Sequence, residues 1–257
     1  MDIPLLIKHF ILDLEKGLDT VFARQYLNKI IVLHSETPNF VLVIYLARHP
    51  GRIPFDGIRT FHIDQDQILQ DSHKVLSRLF SLLGKGQVIG ARQTVAVRIE
   101  KRVALAFLEE NHLQIAIPGK YRYGLYYQGE LVSVAVFSGG RRMREEAENH
   151  RSFELLRFCH KAGYRIVGGL SKLLKSFVVD FRPGDIMTYV DRDWTQGSNL
   201  HTLGFQEHGR TTPQSFWIIG KQRHYIKNAE HLTMLQQAYP AGYISHNQGS
   251  TKLVLKL

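Results

Sequence analysis

The sequence predicts an α/β protein in which a mixed sheet flanked by helices follows a smaller α/β unit. Three observations carry that expectation. Short β-branched, apolar runs bounded by proline or polar residues recur between segments of helical spacing. A hairpin signature lies mid-chain, with Tyr121–Tyr127 and Leu131–Phe137 flanking Gln128-Gly129-Glu130. A third run, Arg165-Ile166-Val167, passes through Gly168-Gly169 directly into a helical pattern.

The elements follow in order. Residues 5–27 read as helix, with Leu6, Phe10, Leu14 and Leu18 at intervals of four. Asn28–His34, Phe40–Leu46 and Ile58–Ile63 read as strands, the last reached through a loop bearing Arg48, His49 and Arg52. A helix is expected over 67–83, stopped by Gly84. The segment Gly84-Lys85-Gly86-Gln87 then marks a boundary, so 1–86 forms a small α/β unit expected to be non-catalytic. Beyond it a strand is expected over 91–99, then a helix over 100–111 carrying Val103, Ala104, Phe107 and Leu108 inward. After the hairpin, 138–151 is polar and charged, hence a loop. A helix from Ser171 turns Leu173, Leu174, Phe177, Val178 and Phe181 to the core, and Ile186–Val190 and Ser215–Ile219 read as strands. Residues 87–226 thus form the main domain. In 227–257, a helix near 229–239 and a hairpin of Tyr243–Ser245 with Lys252–Leu257 form an extension.

Composition narrows the function. Of 257 residues, 44% are apolar, enough for a sizeable core. No apolar run approaches the roughly 18 residues a membrane span needs. The first residues show no cationic region leading into a long apolar stretch, so a cytoplasmic location is expected. Cys159 is the only cysteine, which excludes an internal disulfide framework and a cysteine-rich zinc site, and reads as a small core hydrophobe. No metal site is expected. The 33 Lys and Arg exceed the 23 Asp and Glu, a formal net charge of +10 and a pI near 9.7. Such a surplus favours polyanions such as nucleic acid, or an anionic cofactor; the plain alternative is a basic protein without such a partner.

The Gly168-Gly169 turn is the most informative stretch. Main-chain N–H groups at the start of the following helix stand open to an anion. Lys172 and Lys175 lie in its first turns, where the helix dipole disfavours cations unless an anion is seated there. The competing reading is a plain turn with solvated lysines. In the N-terminal unit, His62, Asp64 and Asp66 are a weak metal-binding pattern. A nuclease would need an acid on a neighbouring strand, and Phe40–Leu46 has none. The Arg48–Arg52 loop could still touch phosphates.

The order strand, helix, hairpin, polar loop, strand, glycine turn, helix, strand, then Leu203-Gly204-Phe205 before a closing strand, resembles the GNAT acyltransferase fold over about 91–226. That resemblance implies an acyl-CoA cofactor such as acetyl-CoA, its pyrophosphate held at Arg165, Val167, Gly168, Gly169, Ser171 and Lys172. The turn departs from the family's R/Q-x-x-G-x-G/A pattern at Leu170. Phe107–Gln114, Gly124–Ser133, Val167–Phe177 and Tyr189–Trp194 are more similar to phage-associated proteins of the homing-endonuclease type, in which a GNAT-like unit follows a Vsr-like nuclease domain. The layout is more distantly similar to the Mom DNA-modification family. That resemblance implies a catalytic group of His112, Arg157 and Asp191, beside which Tyr126 or Tyr189 could stack on a base or protonate a leaving thiolate. Arg141, Arg142, Arg144 and Arg192 are the expected nucleic-acid contacts, with DNA expected more than RNA. The expectation is a transferase moving an acyl or related group onto an amine, plausibly a nucleobase. The alternatives are a non-catalytic nucleic-acid-binding module and, behind it, an endonuclease.

Overall fold

The computed structural model describes residues 3–55, 57–142, 150–194 and 200–257. Helix α1 (Leu5–Leu18) buries Ile7, Phe10, Ile11, Leu14 and Leu18, while Leu6 is left exposed. At 3.6 residues per turn a strict four-residue stripe drifts around the helix, so the i, i+3, i+4 set wins the core. The helix closes at Asp19 in the left-handed conformation, nine residues' worth of expected helix giving way to β1 (Ala23–Leu27). Strands β2 (Ile30–Ser35), β3 (Phe40–Tyr45) and β4 (Thr60–Asp64) follow. Helix α2 (Gln65–Leu82) is broken at Asp71, whose carboxylate accepts from the Lys74 N–H at 3.0 Å and so caps a fresh start.

The strand expected over 91–99 is two strands, β5 (Gln87–Gly90) and β6 (Val95–Arg98). They are separated by a 3-10 turn at Ala91–Gln93 that the Thr94 hydroxyl ties to the Ala91 carbonyl at 2.7 Å. Then come α3 (Lys101–Asn111), β7 (Tyr121–Tyr127) and β8 (Glu130–Phe137). A short β9 (Arg141–Arg142) lies within the stretch read as loop, of which 143–149 fall outside the described residues. The chain continues with β10 (Arg151–His160), β11 (Tyr164–Val167), α4 (Gly169–Phe181), β12 (Asp185–Asp191) and β13 (Gln206–Arg210). It ends with β14 (Ser215–Ile219), β15 (Gln222–Tyr225), α5 (Ala229–Ala238), β16 (Tyr243–His246) and β17 (Ser250–Lys256).

By packing, the chain divides into two units, and neither is one continuous stretch. The first comprises Met1–Leu76, Val190–Ser198 and Arg210–Thr251; the second comprises Ser77–Tyr189, Asn199–Gly209 and Lys252–Leu257. The linear division 1–86, 87–226 and 227–257 is corrected accordingly. The C-terminal region does not stay together, because β14 to β16 join the first unit while most of β17 returns to the sheet of the second.

In the first unit β1-β2-β3 is an antiparallel meander and β4 adds to β3 in parallel. A separate three-stranded sheet runs β15-β14-β16. The second unit is built on a mixed sheet ordered β13-β17-β12-β10-β8-β7-β6, with β9 on β10, and a small parallel pair of β5 with β11. Two expectations fail here. The strand after Leu203-Gly204-Phe205 in this sheet is β13, and Ser215–Ile219 belongs to the other sheet. The last two strands are not a hairpin, since β16 pairs with β14 while β17 lies between β12 and β13.

Helices cover both faces of the mixed sheet. Ala104, Phe107 and Leu108 of α3 pack on Val134 and Val136, leaving Val103 38% exposed. On the opposite face Phe177 of α4 stacks on Phe137 with ring centroids 4.0 Å apart, and Phe153 and Tyr123 close edge-on around it. Among the described residues no helix is long and apolar enough to cross a membrane.

Candidate active site

Strand β10 is where the second unit opens. It pairs antiparallel with β8 from Leu155 to His160, with an extra residue bulged between Leu155 and Arg157. On its other side it pairs in parallel with β12 only at Ser152↔Asp185, Phe153↔Ile186 and Glu154↔Met187. A bulge bends and overtwists its strand, and here it stands where the parallel ladder ends. The Thr188 hydroxyl donates to the Leu155 carbonyl at 2.9 Å, closing the last contact with a side chain instead of a main-chain rung. Beyond that point β10 and β12 run on unpaired to each other, and the result is a wedge with main-chain groups on its walls.

The glycine turn stands at the end of the same run. Strand β11, held parallel to β5, delivers the chain to Gly168, which caps α4 in the left-handed conformation at φ +77°. A side chain there would be strained. Gly169 is closely packed as well. A Cβ there would lie 3.1 Å from Ile166 and 3.2 Å from the His160 ring. Gly168 offers no side-chain cap, so the opening N–H groups of α4 carry the positive end of the helix dipole. His160 was not foreseen; its only signal in the sequence is its place at the end of a strand just before the turn. Burial, then the Arg165 charge, push its pKa down to about 4, and its Nδ1 lies 2.9 Å from the Ser133 hydroxyl. A neutral imidazole therefore lines the floor of the turn.

The residues expected to form the site are only partly gathered there. Ser171 is half-buried in the first turn of α4, and Val167 is exposed just before it. Arg165 donates to the Gly84 carbonyl at 3.0 Å. Lys172 donates to the carbonyls of Ala91 and Thr94, so it braces the 3-10 turn. Arg157 donates to Ile115 O at 3.3 Å and Leu156 O at 2.7 Å, and burial lowers its pKa. His112 caps α3 through its backbone N–H on the Leu108 carbonyl, and its Nδ1 accepts from the Gln114 N–H at 3.0 Å in the loop beyond. Tyr189 is 45% exposed on β12 beyond the last rung. Asp191 and Arg192 pack with the first unit: Asp191 accepts from the Asp193 N–H at 3.0 Å, and Arg192 donates to Gln248 O at 2.9 Å. Arg141 and Arg142 are exposed on β9, and Arg144 lies outside the described residues.

The first unit holds a buried ionic network that composition gave no hint of. Arg52, expected to face solvent phosphates, turns inward and grips Asp64 with both terminal nitrogens at 2.8 and 2.9 Å. It also reaches Asp193 at 3.0 Å and stacks over the Tyr45 ring at 4.3 Å. Arg223 of β15 takes Asp66 with two bonds of 2.9 Å and Asp64 at 2.6 Å. Tyr45 and His62 share a bond of 2.8 Å beneath them. Burial opposes ionisation of Asp64, but Arg52, His49 and Arg223 overcome it and hold the carboxyl well below the usual range. The His62-Asp64-Asp66 pattern is thus matched by arginines. Among the described residues no group of three or more His, Cys, Asp or Glu is disposed to hold a metal ion.

Asp193 is the odd member of the network, since three carboxylates face two guanidiniums. Burial, opposed in part by Arg52 and aided by Asp191, pushes its pKa up from 3.8 to about 7. The folded protein therefore keeps this proton to higher pH than the unfolded chain does, and the contribution from Asp193 falls as pH rises from about 4 to about 7. His62, held neutral down to about 4, acts in the opposite direction over part of that window. Comparison with Asp193→Asn isolates the first effect. The stability of the variant relative to wild type should climb across the window by on the order of 4 kcal/mol, measured by urea unfolding at stepped pH. A flat difference would place the proton elsewhere.

No family model matches the chain, and no curated protein matches it. Among solved structures it is similar to Ard1 from Thermoplasma volcanium, at 9% identity and a TM-score of 0.41 over 64% of this chain and 98% of that one. The ribosomal-protein-S18-alanine N-acetyltransferase from Escherichia coli aligns at 11% identity and a TM-score of 0.41, over 63% and 93% of the two chains. Naa50 from Arabidopsis thaliana, in complex with a bisubstrate analogue of CoA, aligns at 10% and 0.40, over 64% and 99%. At scores this low the likenesses carry no argument, and the function rests on the geometry of the chain itself.

Proposed function

We propose that the second unit is a GNAT-type transferase that holds an acyl-CoA between β10 and β12 and passes its acyl group to an amine. The wedge between these strands carries the reading, because the parallel ladder stops after Glu154 just where β10 bulges. The glycine turn supports it: Gly168 brings the chain into a helix start without a side-chain cap, where open main-chain N–H groups suit a pyrophosphate. Acetyl-CoA or a related thioester would supply the activated acyl group. Main-chain groups of residues 156–160 would hold its amide-bearing arm as a neighbouring strand does, and N–H groups from Gly169 to Ser171 would take the phosphates. Tyr189, half-exposed beyond the last rung, is the side chain we place to protonate a leaving thiolate.

For the acceptor, the charge of +10 and the exposed Arg141 and Arg142 support an amine on a nucleic acid. Two observations favour a second reading, a module that binds without chemistry. Arg157 turns its Nε and one terminal nitrogen to main-chain carbonyls, and His112 has its Nδ1 engaged by its own loop. For the first unit we keep the non-catalytic role, its carboxylates being neutralised by Arg52 and Arg223.

Calorimetric titration with acetyl-CoA on wild type and Ser171→Asp tests the donor site. An added carboxylate in the first turn favours the helix by about 0.3–1 kcal/mol, yet it repels a bound phosphate. Micromolar binding in wild type should fall by roughly a hundredfold in a variant that melts no lower than wild type. Absence of binding in wild type, with salt-dependent DNA binding retained, would leave the module reading.

A further inference from the structure

Strand β6 ends the mixed sheet, pairing with β7 on one side only. Its antiparallel register fixes which groups face outward. The Ile99 N–H donates to the Arg122 carbonyl at 3.0 Å, so Val97 and Val95, two and four residues back, also bond toward β7. The alternation of such a ladder then turns the N–H and C=O of Ala96 and Arg98 away from the sheet. These are the groups a further strand would use.

The same two residues line a groove of about 410 Å³ between β6 and α4. Its charge is one-sided. Arg98, Lys172 and Lys175 stand against a single carboxylate, Asp180, and that one already accepts from the Tyr123 hydroxyl. Among the described residues neither Arg98 nor Lys175 forms an ion pair. The Arg98 guanidinium is held 5.3 Å from the centre of the Phe181 ring, so its position is fixed without using up its charge.

From these two features we infer that the β6–α4 groove is a docking site for an extended peptide strand bearing acidic side chains. The strand adds to the free edge of β6 through Ala96 and Arg98, and its carboxylates on the helix side meet Arg98 and Lys175. A nucleic-acid backbone fits less well, because it offers phosphate acceptors but no regular donors for the outward carbonyls of Ala96 and Arg98. The site lies outside the wedge assigned to the donor and stands whether or not that assignment holds.

The test is fluorescence anisotropy on the full chain with a short labelled peptide alternating Glu and Val, beside its Gln-Val counterpart and a labelled single-stranded oligonucleotide. The Glu-Val peptide should bind, and its affinity should fall by roughly tenfold or more in Lys175→Glu and in Ala96→Pro. Proline at an edge position removes the outward N–H and leaves the β6–β7 ladder intact. If thermal melts show that Ala96→Pro does not fold, the peptide carrying N-methyl groups at alternate residues replaces it and should bind as weakly. Equal binding of the Gln-Val peptide, or binding untouched by both main-chain tests, would overturn the proposal. Tighter oligonucleotide binding lost in Lys175→Glu would also overturn it and assign the groove to nucleic acid.

Discussion

Asp64→Ala should cost about 3–5 kcal/mol of stability and lower the melting temperature of the first unit by on the order of 10 °C. Asp64 is 1% exposed and takes both arginines, Arg52 through two nitrogens and Arg223 through one. Removing it leaves two guanidiniums with buried positive charge and only Asp66 and Asp193 to answer it, and Asp193 resists ionisation. The loss is thus mostly the penalty of stranded charge. A double variant, Asp64→Leu with Arg223→Met, should be less destabilised than the sum of its singles, because it removes both members of one pair. Urea unfolding with aromatic fluorescence measures each. A loss below about 1 kcal/mol for Asp64→Ala would mean that water screens the cluster and that it is not the clamp described here.

Phe177→Ala should be as damaging in the second unit, about 3–5 kcal/mol. The ring is fully buried and meets Phe137, Phe153, Tyr121 and Tyr123, each within 6.1 Å between centroids. The surrounding rings are pinned by the sheet, so the cavity cannot collapse, and the full cost of lost contacts falls on α4. This helix presents the N–H groups proposed to hold the donor phosphates. Acetyl-CoA affinity should therefore drop along with stability, whereas Ser171→Asp should lower affinity alone. Thermal melts and calorimetry on both variants separate packing from recognition. Phe177→Leu, which keeps most of the volume, should recover the larger part of each loss.

How much of this could be read from the chain depends on the range of the force involved. The buried strands β2 and β3 were legible as apolar runs. The hairpin of β7 and β8 was legible from Gln128-Gly129, which sit at φ +49° and +83° as a tight turn of this hand requires. The inward face of α4 was legible at Leu173, Leu174 and Phe177, and so was the glycine turn that opens it. All of these are decided by neighbours within a few residues. Breaks made by a single side chain were harder. Asp71 restarts α2 and Thr94 closes the turn before β6, each through one hydrogen bond that competes with a continuing helix or strand.

Long-range pairing was not legible. No local signal says that β17, at the end of the chain, slides between β12 and β13, or that β14 to β16 leave the mixed sheet for the first unit. The destinations of long cationic side chains were equally hidden. Arg52 and Lys172 both looked like phosphate ligands, and both are spent inside the protein, on Asp64 and on two main-chain carbonyls. The sequence by itself determined the α/β class, the local elements and the glycine turn, because propensity, period and turn chemistry act along the chain. Only the tertiary structure decided the two-unit division, the wedge beside β10 and the arginine clamp. Each depends on which distant backbone or carboxylate arrives within hydrogen-bond reach, and that is fixed by packing.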